Sequence, residues 1–190
     1  MVITLYADRR TLDIADIAGR LARALAPRLP APGAVVATTT PGAGHAHHRL
    51  DGVPYAAFPP GATPAEIVSD LHRLAAQYPV TLVAWSGAPT EQALAACDSS
   101  QRVILVSDPS VASIRATQRA LKLCSSLGYD AGKVCVVLHG FDADGALGPR
   151  DAAGVLKREI FWVLPGTRDG ERDAAFEGLA DRLSQQALSG

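Results

Sequence analysis

The segment that most constrains the fold is residues 102–138, where two apolar strands flank one helix. Residues 102–107 and 133–138 are short apolar runs rich in β-branched side chains, which is typical of strands buried on both faces. Between them, Ser110 is a candidate N-cap and Gly128 a candidate C-terminal residue of an amphipathic helix. A helical crossover of this length joins parallel strands. The segment therefore predicts a right-handed strand–helix–strand unit in a sheet covered on both faces.

The rest of the chain continues the same alternation. We expect strands at residues 1–7, 33–39, 53–58, 80–85 and 160–164, and helices at residues 13–26, 63–78, 91–96, 151–158 and from about residue 171 onward. The second of these helices has the clearest start signal, because Thr63 can cap it, Pro64 suits its first position and Glu66 completes a capping box. The pattern predicts a three-layer, doubly wound α/β fold with a mostly parallel sheet, in a single domain over residues 1–190.

Charge and cysteine content narrow the class of protein. The 18 basic and 19 acidic residues give a formal net charge of -1, so we expect no nucleic-acid partner. The three cysteines, Cys97, Cys124 and Cys135, are well separated in sequence, which favours reduced, buried thiols over disulfides. No apolar run is long enough for a transmembrane helix, and the first residues lack the pattern of a signal peptide. These features predict a cytoplasmic protein with no transmembrane segment.

Several segments resemble one family. Residues 103–123, followed by Gly128 and the strand at 134–138, are similar to the part of MinD/ParA-type ATPases in which a strand ending in a Thr-x-Pro-like turn leads into a long helix. The CpaE/TadZ pilus-assembly branch shares this segment. Residues 80–89 resemble the strand and loop of the family's second switch, and residues 160–165 resemble its late strand ending in proline. The resemblance covers most of the chain and implies a MinD/ParA-like P-loop NTPase fold.

The loop after the first strand departs from that family. There, the family has a glycine-rich phosphate cradle ending in Gly-Lys-Thr, whose lysine reaches the phosphates and whose hydroxyl holds magnesium. With the following helix aligned, the glycine-rich positions hold Arg9, Arg10, Thr11 and Asp13. Ile14 then stands at the lysine position and Ala15 at the hydroxyl position. We expect side chains to fill the cradle and the Asp13 carboxylate to repel phosphate.

Two other parts of the implied nucleotide site differ as well. The family's second-switch strand ends in an acidic residue that positions the metal, whereas this strand ends in Trp85 and Ser86. Where the family typically has an asparagine near the base of the bound nucleotide, this chain has His139 and Gly140. Three losses in one site predict a degenerate P-loop. We therefore expect no catalytic residue, no cofactor-binding residue, no metal ligand and no cofactor.

The resemblance then implies a pseudo-ATPase that works through protein partners. Such a protein would be a non-hydrolysing scaffold or regulator for positioning or assembling an envelope-associated machine, such as an Flp pilus, a secretion system, the septum or a cellulose exporter. The implied partners are a second copy in a homodimer, an active MinD/ParA-type ATPase, or a machine component at the inner face of the membrane. The terminal helix is a candidate docking element, although its stripe of Phe176, Leu179 and Leu183 is more typical of a core-facing helix.

Two other functions remain open. The loop at residues 41–52 contains His45, His47 and His48, with Asp51 nearby, which are ligand types for a divalent metal. This loop favours a small α/β metal-dependent enzyme as the alternative. Arg9 and Arg10 also lie just before a helix, where residual anion binding would allow an unconventional nucleotide-dependent switch.

Three further residue patterns carry little functional weight. Ser86 lacks the Gly-x-Ser-x-Gly context of a hydrolase nucleophile. Asp108 follows a strand, as catalytic carboxylates often do, but a turn role before Pro109 accounts for it equally well. Asp142 and Asp144 resemble the start of a calcium loop, yet no glutamate follows at the required spacing, so that motif is rejected.

Overall fold

The structure is a computed structural model that describes residues 1–8, 12–39, 52–140, 147–166 and 169–187. The described strands are β1 (Val2–Ala7), β2 (Ala34–Thr39), β3 (Tyr55–Phe58), β4 (Val80–Ser86), β5 (Arg102–Ser107), β6 (Val134–His139) and β7 (Trp162–Leu164). The described α-helices are α1 (Ile14–Leu25), α2 (Pro64–Gln77), α3 (Glu91–Asp98), α4 (Val111–Ser126), α5 (Pro149–Leu156) and α6 (Asp169–Ala187).

The seven strands form one sheet in the order β3-β2-β4-β1-β5-β6-β7, and every described pair is parallel. The predicted unit at residues 102–138 is present as β5, α4 and β6, with Val103 opposite Val134 and Ser107 opposite Leu138. The prediction of a doubly wound α/β fold is confirmed. Because β1 and β4 lie in the middle, the fold places the carboxyl end of β1 at the centre of one sheet edge.

Helices cover both faces of the sheet. Residues of α1 and α6 pack in one core cluster, and residues of α2, α3, α4 and α5 pack in the other. Side chains alternate along β1, so that Ile3 and Leu5 enter the first cluster while Val2 and Tyr6 enter the second. The apolar stripe of α6 is buried in the first cluster, through Phe176, Leu179, Ala180 and Leu183. The stripe of the terminal helix therefore faces the core.

Local signals set several helix ends. Thr63 and Glu66 form the expected capping box at α2. Ser110 caps α4 by accepting a hydrogen bond from the Ser113 backbone N–H at 3.1 Å. Gly128 follows α4 with a φ of +79°, a conformation that glycine adopts without a steric penalty. The helix expected from residue 151 instead begins at Pro149, since proline suits the first position of a helix.

The cysteine prediction also agrees with the structure. Cys97, Cys124 and Cys135 are buried and free of disulfides. Burial raises the pKa of Cys97 to about 12 and that of Cys135 to about 11, so both thiols stay protonated near neutral pH. Over the described ranges, none of the helices combines the length and apolar character that crossing a membrane requires.

Candidate functional site

The carboxyl ends of the central strands meet at one edge of the sheet. Register pairs Ala7 of β1 with Ser86 of β4, and the backbone N–H of Gly87 donates to the Ala7 carbonyl at 2.9 Å. On the other side of β1, Ser107 ends β5 and His139 ends β6. In open parallel α/β sheets this edge is where ligands bind. We therefore treat it as the candidate site.

The start of α1 borders this edge. Asp13 is the N-cap, and its carboxylate accepts a hydrogen bond from the Asp16 backbone N–H at 3.0 Å. The next two residues, Ile14 and Ala15, are each 3% exposed and belong to the core. Free backbone N–H groups at a helix start are the usual donors to a bound anion. Here one of those donors already binds a carboxylate of the same chain.

A second carboxylate occupies the first turn of α1. The Asp16 Oδ2 atom lies 3.0 Å from Arg20 Nε and 3.3 Å from Arg172 Nη2. Arg20 in turn lies 3.5 Å from Asp173 of α6. A carboxylate at this end of a helix is favoured by the helix dipole, and the two guanidinium groups strengthen that preference. These charges join α1 to α6 at the candidate site.

His139 at the end of β6 contacts this group of charges, and its pKa is lowered. Its Nε2 atom lies 3.2 Å from Arg172 Nη2. Because a guanidinium can only donate, the contact makes Nε2 the acceptor and assigns the ring proton to Nδ1. Burial lowers the pKa of His139, and the nearby Arg172 and Arg20 charges lower it further against the opposing effect of Asp16 and Asp108. His139 is therefore a neutral base at pH 7.

Asp108 is engaged in the turn between β5 and α4. Its carboxylate accepts a hydrogen bond from the Ser110 backbone N–H at 2.8 Å, and its own backbone N–H donates to Ser113 Oγ at 3.0 Å. This is the turn role that was one of the two interpretations of Asp108 from the sequence.

Trp85, near the end of β4, is buried, and its ring centroid lies 6.3 Å from that of Phe58.

Several residues singled out in the sequence lie outside the described residues. They are Arg9, Arg10, Thr11, His45, His47, His48, Asp51, Asp142 and Asp144. The metal site at the histidine loop and the anion site at the two arginines stay predictions. Over the ranges that the structure does describe, no group of three or more histidine, cysteine or acidic side chains is placed to hold a metal ion.

Three residues of the candidate site were not predicted from the sequence: Asp16, Arg20 and Arg172. Asp16 and Arg20 are four residues apart, a spacing that favours an ion pair on one helix face, so a signal was present. Arg172 lies 156 residues from Asp16 and comes from another helix. No local pattern could have placed it there. Together these side chains form a paired, partly buried network suited to holding α1 and α6 together.

The chain resembles known proteins in its fold but not in its sequence. No protein-family model matches the sequence, and no curated protein matches it. Solved structures do match. A ParA family ATPase from Chlorobium tepidum superposes with a TM-score of 0.77 at 15% identity, covering 94% of this chain and 98% of that one. The septum site-determining protein MinD of Pyrococcus horikoshii, complexed with Mg-ADP, gives 0.74 at 14% identity, covering 98% and 96%.

A chain of the MinC:MinD cell division protein complex of Aquifex aeolicus gives a TM-score of 0.73 at 14% identity, covering all of this chain and 96% of its own. Identities this low establish a common architecture and no shared activity. The chain therefore has the seven-stranded parallel α/β fold of MinD/ParA P-loop ATPases.

Proposed function

We propose that this chain is a MinD/ParA-like scaffold or regulatory protein that neither hydrolyses nor binds ATP. It would help to position or assemble an envelope-associated machine, of the CpaE/TadZ pilus-assembly type or a related secretion, septum or cellulose-export type. The fold supports the resemblance to MinD/ParA proteins. The residues at the start of α1 support the absence of ATP binding.

Carboxylates occupy the first turn of α1, where a phosphate would have to bind. Phosphate binding at a helix N-terminus requires backbone N–H groups that are free and a cation nearby. In this chain the Asp13 carboxylate accepts from one of those N–H groups, and a second carboxylate, Asp16, lies on the same turn. Both would repel a triphosphate, because like charges a few ångströms apart oppose each other strongly outside bulk water.

The residues at the two side-chain positions of the cradle support the same proposal. In the family alignment, Ile14 replaces the lysine and Ala15 the magnesium-binding hydroxyl. Both side chains are buried in the first core cluster, and neither carries a group that could bind phosphate or magnesium. Trp85 is also buried at the end of β4, where the family has a metal-positioning acid.

Without nucleotide chemistry, the remaining function is recognition of other proteins. One protein with this fold is part of a MinC:MinD complex. For this chain, the proposed partners are a second copy, an active MinD/ParA-type ATPase, or a component of the machine. The proposed place of action is the cytoplasm, with recruitment to the inner face of the membrane through those partners.

Isothermal titration calorimetry with ATP and Mg²⁺ tests the nucleotide part directly. We expect no saturable heat with up to about 1 mM ATP, since the Asp13 and Asp16 carboxylates at the start of α1 oppose a bound triphosphate. An active MinD/ParA-type ATPase in the same buffer is the positive control. Micromolar, Mg²⁺-dependent ATP binding would contradict the proposal and favour a nucleotide-dependent switch with unconventional contacts.

A further inference from the structure

A cavity lies on the second face of the sheet, away from α1 and α6. It sits between α3 and α4, above β1 and β5, and has a volume of about 390 Å³. We call it the α3–α4 cavity. This volume falls in the range of sites that bind small molecules. The cavity lies apart from the Asp16–Arg172 network, and its lining consists of described residues only.

Small side chains on both helices create the space. Helix α3 presents Ala93 and Cys97 to the cavity, and helix α4 presents Ala120 and Cys124. Each pair is four residues apart, so each lies on a single helix face. Leucines above and below complete the wall: Leu94, Leu105, Leu123 and Leu127. Burial raises the pKa of both cysteine thiols, which keeps this wall uncharged. The body of the cavity is therefore suited to an apolar group.

One ion pair stands at the rim of this apolar space. Arg119 Nη2 of α4 lies 3.1 Å from Asp8 Oδ2, just past the end of β1. The Arg119 side chain is 68% exposed, so its guanidinium can reorient towards a ligand at little cost. A ligand whose polar end carries one charge would be attracted by one of Asp8 and Arg119 and repelled by the other. A head with both charges would satisfy both partners.

We propose that the α3–α4 cavity binds a small amphipathic zwitterion. Its apolar body, about the size of one or two fused rings, occupies the space between the two helices. Its ammonium group faces the Asp8 carboxylate and its acid group faces the Arg119 guanidinium, which binds carboxylates well through its planar donors. The apolar body of this site lies on the opposite face of the sheet from α1, and only Asp8 at its rim adjoins the end of β1, so the proposal does not depend on whether the chain binds ATP.

Three compounds that share an indole ring test the head group. L-tryptophan is the zwitterion, tryptamine the cation and indole-3-propionate the anion. We would measure the binding of each to the full chain by ligand-observed NMR and by calorimetry. We expect L-tryptophan to bind with a dissociation constant below about 1 mM, given the affinity typical of about fifteen heavy atoms. Each analogue should bind about two- to tenfold more weakly, as expected for the loss of one partly exposed charge contact.

Matched variants locate the site. Ala120→Trp fills the cavity from α4 and should weaken L-tryptophan binding at least about tenfold. Ala75→Trp is its control, because Ala75 is also half-buried against the same core cluster but does not line the cavity. The double variant Asp8→Asn with Arg119→Gln should bind all three compounds equally. Arg115→Gln, one turn earlier on α4 and exposed, should keep the wild-type preference.

Three results would overturn the proposal. One is failure of the wild-type chain to bind L-tryptophan below a few millimolar. Another is equal binding of the zwitterion, cation and anion by the wild-type chain, since the ion pair would then have no role. The third is unchanged binding in Ala120→Trp, which would place the compound elsewhere. Circular dichroism of each folded variant ensures that a lost signal reflects the site and not the fold.

Discussion

His139 shows how a single residue can couple the candidate site to pH. It ends β6, and its ring accepts a hydrogen bond from Arg172, which also contacts Asp16 on α1. Protonation would place a second positive charge against the guanidinium in a partly desolvated position. The folded chain therefore resists protonation of this ring more than the unfolded chain does, because burial and the arginine charge lower its pKa.

The sign of the resulting pH dependence follows from linkage. In the unfolded chain the histidine has a pKa of about 6.5. Between that value and the lower pKa of the folded state, the unfolded state binds more protons, so stability falls as pH falls. We predict that His139→Gln removes this fall in stability, whose slope is at most about 1.4 kcal/mol per pH unit. The free energy of unfolding in urea, measured at pH 7.5 and at pH 5.5, tests the prediction.

His72→Gln is the matched control for that measurement, since His72 is exposed on α2. The control should keep the wild-type difference in unfolding free energy between the two pH values. An identical pH dependence in wild type and His139→Gln would show that the contact with Arg172 does not couple to protonation.

At the residue scale, contacts between residues close in sequence could be predicted, whereas contacts between residues far apart in sequence could not. Thr63 and Ser110 were identified as caps because a capping side chain and the backbone N–H that donates to it lie within one turn. Asp108 had two interpretations, and the Asx-type hydrogen bond to Ser110 accounts for the turn. Arg172 was not identified, because its position beside His139 exists only after α6 has packed on α1.

Helix α6 is the element that closes the first face of the sheet. Its buried stripe packs beside α1, and Arg28 links the two helices through Glu177 at 2.6 Å and Asp181 at 2.7 Å. It also contacts β7, where Trp162 Nε1 donates to the Ala175 carbonyl at 2.8 Å. The indole ring then lies over Gly178, the residue that allows this close approach.

We predict that Gly178→Ala destabilises the protein. A Cβ atom at this position would lie 2.5 Å from the Trp162 ring, so the ring must move and weaken its hydrogen bond to Ala175. Overpacking of this kind costs about 1–3 kcal/mol, more than the roughly 1 kcal/mol that alanine gains over glycine in a helix. The free energy of unfolding in urea should therefore decrease.

Gly154→Ala in α5 is the control, since a Cβ atom there meets nothing within 4 Å and the position is exposed. This variant should be neutral or up to about 1 kcal/mol more stable. If Gly178→Ala proved as stable as Gly154→Ala, the close packing of α6 on Trp162 would be wrong.

The sequence predicted which segments are strands and which are helices, but it predicted their end residues less well. Apolar runs at residues 80–85 and 102–107 identify β4 and β5, since strands buried on both faces need such runs. The expected strand at residues 160–164 is shorter, Trp162–Leu164, although its partner β6 extends further, because an apolar pattern does not report which residues pair. The start of α5 at Pro149 was missed by two residues.

At the scale of the whole molecule, alternating strands and helices predicted the fold class, and the sheet confirms it. The order of strands was not predicted beyond the β5–α4–β6 unit. That order assembles the candidate site, because it brings the ends of β4, β1, β5 and β6 to one edge. The α3–α4 cavity is also a property of the assembled molecule. Its sequence signal was the Ala-x-x-x-Cys pattern, which occurs in both α3 and α4.

The distribution of charge bears on whether the chain binds nucleic acid. This chain has a net charge of -1. Several of its described arginines are paired with carboxylates: Arg20, Arg28, Arg73, Arg119, Arg172 and Arg182. Neutralising several phosphates at once requires a surface of unpaired positive charge.

We therefore predict that the chain does not bind duplex DNA without sequence preference. Fluorescence anisotropy with a labelled random duplex at 50 mM salt should give a dissociation constant above about 10⁻⁴ M, weaker than most non-specific DNA-binding proteins show even at physiological salt. An active DNA-binding ParA-type protein is the positive control. Micromolar binding that weakens steeply with added salt would mean that positive charge collects on a surface despite the net balance, because released counterions produce that dependence. It would also move the proposed partner from a protein to nucleic acid, since the scaffold interpretation has no need for phosphate contacts.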